Sequence, residues 1–130
     1  MTPDDVRSFF EALSRGDVTA LEARLAEDVV LEFPGSRFGG TQAGKRRVVV
    51  FLKQNQRLFD GGLLFDVRWA GISGDRAVAQ WTNAGITKDG TPYANRGVTI
   101  FTVKTLEGGE RIVRIEDYLD TERLAATWPR

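Results

Sequence analysis

Histidine and cysteine are both absent from the 130 residues. Without cysteine there is no disulfide, no thiolate nucleophile and no Cys-based metal site. Without histidine there is no imidazole base, no Ser-His-Asp triad and none of the common His-ligated zinc or iron centres. Proton transfer near neutral pH is left to Asp, Glu, Lys, Tyr or water. An excess of one charge is missing too: eighteen basic residues balance eighteen acidic ones, nine of each in either half of the chain. Nucleic acid and anionic membrane are therefore not the expected partners. No apolar run is long enough to span a bilayer, and the start, MTPDDVRSFF, carries two acids where a signal peptide needs a basic segment. A cytoplasmic location is the expectation. Internal repeats and low-complexity tracts are lacking as well, and a chain of this length buries a real core in one domain, expected over residues 1 to 130.

What is present is a change of periodicity along the chain. Thr2-Pro3-Asp4-Asp5 is a helix start, followed by Val6, Phe9, Phe10 and Leu13 at helical spacing and by Gly16 as a stop. Asp17 can cap a second helix carrying Leu21 and Leu25. VVLEF, residues 29 to 33, reads as a strand closed by Pro34-Gly35. The Gly-rich stretch 35 to 44 lacks the spacing of a phosphate-binding loop and reads as a flexible lip. A third helix is expected over 45 to 59, ended by Asp60-Gly61-Gly62. From there four strands follow, at 63 to 71, 76 to 87, 91 to 104 and 110 to 119, separated by tight-turn signals such as Asp89-Gly90. A last helix covers 121 to 127. Helices first and hairpins after them predict an α+β fold: a cone-shaped, curved, mixed or antiparallel β-sheet with the N-terminal helices on its concave face.

That order of elements resembles the nuclear transport factor 2-like superfamily, and within it the SnoaL-like proteins. The stretches that carry the resemblance are FFEALSRGDVTALEARLAEDVVLEFP, DGTPYANRGVTIFTV and RIVRIEDYLDTERL. The fold hosts cyclases, isomerases, hydrolases, dehydratases and plain binding modules, so resemblance alone does not choose an activity. It does allow a test against the ketosteroid isomerases. Where those enzymes carry a hydrogen-bonding tyrosine, a catalytic aspartate and an oxyanion-hole acid, this chain has Phe9, Phe33 and Thr99; Glu32 is the acid next to the second position. Histidine-dependent dehydratases are excluded by composition, and the arginine, aspartate and asparagine set of the epoxide hydrolases finds no convincing match. The resemblance also implies a homodimer through the sheet, in keeping with apolar residues on both faces of the strand at 97 to 104.

The candidate site begins with RIVRIEDYLDTERL. Its period of two puts Val113, Ile115, Asp117 and Leu119 on one face, apolar apart from Asp117. An acid on a face that should be buried costs several kcal/mol unless it is hydrogen-bonded, neutralised or in a wet pocket. On the concave face its pKa should rise toward neutrality, as suits a group that takes and returns a proton. In the SnoaL-like arrangement an acid at this end of the sheet is the general base; Asp117 is the first candidate and Asp120 the second. The plain structural roles are an arginine partner or a cap on backbone amides near the last helix for Asp117, and, for Asp120, the N-cap of that helix, a place open to Asp120 or Thr121. Tyr93, Asn95 and Thr99 are candidate donors to an enolate oxygen. Phe9, Phe33, Trp81, Phe101 and Leu119 are expected to line the pocket, with Thr82 or Ala84 on the same face. Trp69 and Trp128 read as core or interface residues. One reading is a cofactor-independent, metal-free acid/base enzyme acting on an apolar, carbonyl-bearing small molecule. The other is a non-catalytic binding or dimerisation module whose cavity is merely apolar.

Overall fold

The structure is a computed structural model that describes residues 1 to 35 and 40 to 127; Trp128 and residues 36 to 39 of the expected lip lie outside them. Helix α1 (Pro3–Arg15) starts on a reciprocal cap. The Thr2 hydroxyl accepts from the Asp5 amide at 3.1 Å, and the Asp5 carboxylate accepts from the Thr2 amide at 2.8 Å. Gly16, at φ 68°, ends it in the left-handed conformation. Helix α2 (Val18–Arg24) is capped by Asp17.

The main departures from the sequence reading fall at three places. Leu25 is not helical: β1 (Leu25–Glu32) begins there, four residues early, and Phe33 lies just beyond its end. Leu25 is fully buried opposite Ile112, and tertiary burial overrides the helical spacing that links it to Leu21. Within the expected lip, β2 (Thr41–Ala43) pairs back on β1 through Val30 and Ala43. Helix α3 (Lys45–Arg57) stops two residues early because β3 (Phe59–Ser73) starts at Phe59. The glycines at 61 and 62, with φ of 77° and 87°, form a bulge in that strand rather than a helix stop. Gln56 patches the interrupted ladder, donating to the Leu63 carbonyl at 3.0 Å and accepting from its amide at 2.8 Å.

Strands β4 (Arg76–Thr87), β5 (Pro92–Leu106) and β6 (Gly109–Leu119) follow as hairpins, and α4 (Thr121–Thr127) closes the described chain. The sheet order is β2-β1-β6-β5-β4-β3, antiparallel except that β1 runs parallel to β6, so the sheet is mixed. One face carries the helices. There Phe9 and Phe10 of α1 pack edge-on against Phe101 of β5, with ring centroids 5.1 and 6.0 Å apart. Ser14 ties α1 to β3, donating to the Phe10 carbonyl at 2.8 Å and accepting from the Phe65 amide at 3.0 Å.

Alternation decides which residues face inward. The β4–β5 register runs unbroken from Arg76 opposite Thr102 to Ile86 opposite Pro92. Tyr93 and Asn95 therefore stay on the inner face with Thr99, Phe101 and Val103. On β4 the inward set is Ala77, Ala79, Trp81, Asn83 and Thr87, whereas Thr82 and Ala84 are exposed on the outer face. Expecting those two on the concave face is corrected by one residue: with Trp81 inward, a period of two brings Asn83 with it. On β6 the alternation holds from Ile115 to Leu119 and breaks at Val113, where a bulge turns Ile112 inward.

Candidate functional site

Between α1, α3 and the inner face of the sheet lies a cavity of about 60 Å³. Its walls are mostly apolar, with Phe9, Phe10, Phe33, Phe65 and Trp81 supplying much of the surface and Asn83, Tyr93, Thr99 and Asp117 the polar points. Pockets that take drug-sized ligands start near 300 Å³, so this space suits a compact molecule rather than several fused rings.

Asp117 reaches the cavity because β5 and β6 pair Thr99 directly opposite it. The Thr99 hydroxyl donates to Asp117 Oδ1 at 2.6 Å, and the Trp81 indole N–H donates to the Thr99 hydroxyl at 2.9 Å. This chain of donors holds one carboxylate oxygen in place and leaves Oδ2 without a protein partner among the described residues. Trp81 reaches Thr99 by lying across Gly97. A Cβ at Gly97 would stand 2.6 Å from the indole ring and 2.5 Å from the Tyr118 carbonyl. Phe65 holds the other side of the indole edge-on, with ring centroids 5.0 Å apart.

The electrostatics follow from this packing. Burial raises the Asp117 carboxyl from 3.8 to about 6, against the smaller lowering effect of the Thr99 hydrogen bond. Among the described residues no Lys or Arg forms an ion pair with it, so the arginine-paired role is not the one seen. The neighbouring charges are on the outer face, where Arg114 pairs with Glu32 and with Glu116. Strand β1 ends at Glu32, opposite Glu116. Asp117 is thus the first residue of β6 beyond the cover of β1, and it also borders a cleft formed with Phe33, Pro34 and Thr41. Burial likewise raises the Tyr93 hydroxyl above its ordinary range, so Tyr93 stays protonated and able to donate.

The structure brings Phe9, Phe33, Trp81, Tyr93, Thr99, Asp117 and Leu119 to the cavity wall. Asn95, Phe101 and Asp120 do not line it. Asn95 is buried behind Tyr93, its amide donating to the Tyr93 hydroxyl at 2.8 Å and to the Asp120 carbonyl at 3.0 Å while its oxygen accepts from the Arg96 amide at 2.8 Å. Phe101 is solid core under α1. The Asp120 carboxylate caps α4, accepting from the amides of Glu122 at 3.0 Å and Arg123 at 3.2 Å. A helix cap occupies the group offered as second base. Sequence reading missed Asn83, although its place two residues after Trp81 on one strand was the available signal. Phe10, Leu13 and Phe65 were missed as wall residues because helical and strand spacing mark them only as core. Among the described residues no three metal-ligating side chains converge, and no helix is long and apolar enough to cross a membrane.

Known proteins share this architecture. Residues 6–115 match the model of the SnoaL-like domain. No curated protein matches the chain. An NTF2-like protein of unknown function from Burkholderia pseudomallei is 26% identical, with a TM-score of 0.80 and 97% of each chain covered. TerC, co-crystallized with polyporic acid, is 22% identical with a TM-score of 0.80, over 96% of this chain and 97% of that one. An LEH-like epoxide hydrolase from M. tuberculosis is 24% identical with a TM-score of 0.76, over 95% of this chain and 86% of that one. At the identities of these last two the likeness is one of fold.

Proposed function

The chain belongs to the SnoaL-like domain family, and from that membership together with the site we propose that it is a cofactor-independent acid/base catalyst acting on a compact, apolar carbonyl compound. The observation that carries this reading is Asp117: a carboxylate in an apolar cavity, held by Thr99, raised to about 6 and without a counter-ion among the described residues. Above that pH the ionised group takes a proton from the carbon next to the carbonyl. The C–H electron pair moves toward the carbonyl oxygen, giving an enolate. Asp117 then returns the proton, either to the γ-carbon of a conjugated enolate, an isomerisation, or to the alkoxide left when the enolate carbon attacks a second carbonyl, a cyclisation. No external oxidant, metal or cofactor is needed for the balance. Of the hydroxyls lining the cavity, Thr99 donates to Asp117 and so holds the base rather than the enolate oxygen.

The test is deuterium exchange at the α-carbon of small ketones in D₂O, followed by proton NMR. Wild type should exchange faster as pH rises through about 6, and Asp117→Asn should fall to the uncatalysed rate. Binding without exchange would instead favour a ligand-binding module, the reading that the phenylalanine-rich walls support. A homodimer through the outer face of the sheet belongs to the same proposal, since Leu64, Trp69 and Ile86 stand 60, 54 and 52% exposed there. Sedimentation at twice the 14.5 kDa chain mass is the expected result, and a monomer would remove that part.

A further inference from the structure

Asn83 is 6% exposed and lines the cavity, yet its Oδ1 has no hydrogen-bond partner among the described residues. A dry, unpaired acceptor costs stability that a leucine of similar size would not. The same place holds a matching donor. Asn83 lies directly opposite Asn95 across the β4–β5 ladder, and the Tyr93 hydroxyl reaches back to the Asn95 amide, from which it accepts at 2.8 Å. Side chains directly opposite on a sheet face have Cβ atoms about 5 Å apart. The Tyr93 hydroxyl hydrogen, with no acceptor among the described residues, and the unpaired Asn83 oxygen thus belong to the same cavity wall, one on the hydrogen-bond partner of Asn95 and the other on its cross-strand neighbour. Asn95 serves neither, its two amide hydrogens going to the Tyr93 hydroxyl and the Asp120 carbonyl and its oxygen to the Arg96 amide.

We propose that Asn83 and Tyr93 form a subsite for a hydroxyl group of the ligand, which donates to Asn83 Oδ1 and accepts from the Tyr93 hydroxyl. A hydroxyl is both donor and acceptor, so one group serves the Asn83 oxygen and the Tyr93 hydroxyl together. A bare ketone or hydrocarbon does not fit it, because it leaves the Asn83 oxygen unpaired. The register places this subsite well away from the acid: Asp117 is opposite Thr99, which is opposite Ala79, four residues before Asn83 on β4. That is roughly 13 Å between backbone positions along the strand, and the Asn83 and Asp117 side chains both line the one cavity. Resting on the acid/base reading above, the substrate class is then a compact hydroxylated carbonyl compound, with its hydroxyl at Asn83 and its carbonyl toward Asp117.

Two probes that differ by one hydroxyl test this: 4-hydroxyacetophenone and acetophenone, each titrated into the full chain by calorimetry. The hydroxylated probe should bind wild type about tenfold more tightly. Asn83→Leu should abolish that preference, with Asn83→Ala as the replacement variant if the leucine protein does not fold. Asp117→Asn should leave the preference intact. Equal affinity of the two probes for wild type, no binding of 4-hydroxyacetophenone at millimolar concentration, or a preference that survives in the Asn83 variant overturns the proposal. The preference is a binding measurement and α-carbon exchange a catalytic one. Loss of exchange with the preference intact removes the acid/base reading and leaves the hydroxyl subsite standing.

Discussion

On the inner face of the sheet, Ala77, Ala79, Phe101, Val103, Ile112 and Ile115 are buried and apolar, and α1 presses Val6, Phe9 and Phe10 into them. Farther along the same strands, toward the β4–β5 turn, the same face carries Asn83, Thr87, Asn95 and Thr99, the buried polar residues among those described. Both halves use the same alternation and the same strands. They differ in what covers them: helix side chains fill the first half, whereas the second meets the cavity and the start of α4. Thr99, opposite Ala79, stands at the divide, and Gly97 beside it lets Trp81 lie flat across β5 and donate to Thr99. The contrast teaches that one half of the face is built for stability and the other keeps polar groups at a stability cost, a pattern expected of a functional site.

Emptying the filled half should have the largest effect. Phe101→Ala removes a fully buried ring that touches Phe9 and Phe10 and is expected to cost about 4 kcal/mol in urea denaturation. A loss below about 1 kcal/mol would mean that this half is not the packed one. Next, Gly97→Ala puts a methyl against the Trp81 ring and the Tyr118 carbonyl. It should cost roughly 2 to 3 kcal/mol and displace the indole from Thr99, read as a change in tryptophan fluorescence.

Asp117→Asn should go the other way. The folded carboxyl is raised from 3.8 to about 6, so between those values the native state holds a proton that the unfolded chain has lost. Wild-type stability therefore falls as pH rises from about 4 to about 6 and stays lower above. The asparagine variant escapes this loss and should be more stable by roughly 2 kcal/mol at pH 7.5, with the difference vanishing near pH 4. Thermal melts of both proteins across that range decide it; parallel curves would place the carboxylate in a solvated or paired setting. The smallest effect belongs to the rim. Asp120→Ala removes the cap of α4 and should cost about 1 kcal/mol without altering ketone exchange, which separates the capping acid from the cavity acid three residues earlier.

Much of this was legible in the residues. The capped α1, the hairpins and the inward position of Asp117 follow from periodicities that depend on neighbours along the chain. The errors came where a distant partner overrode local spacing. Leu25 joins a strand because Ile112 lies opposite it, Gly61 and Gly62 bulge a strand because β4 continues beside them, and Ile112 turns inward at a bulge facing β5. The capping of α4 by Asp120 was readable from DTERL, and so its removal from the cavity was half visible.

By itself, then, the chain determined the chemistry available: no imidazole and no thiol, balanced charge, and a lone carboxylate in an apolar alternation. It determined the order of helices and hairpins too, since capping, turn formation and strand alternation are local. Which polar groups found partners depended on the folded whole. Thr99 meets Asp117 and Asn95 meets Tyr93 through contacts set by the fold, which leaves the Asn83 oxygen without a partner among the described residues. Hydrogen-bond satisfaction depends on atoms brought together across strands and helices, and that information is not carried by any one segment.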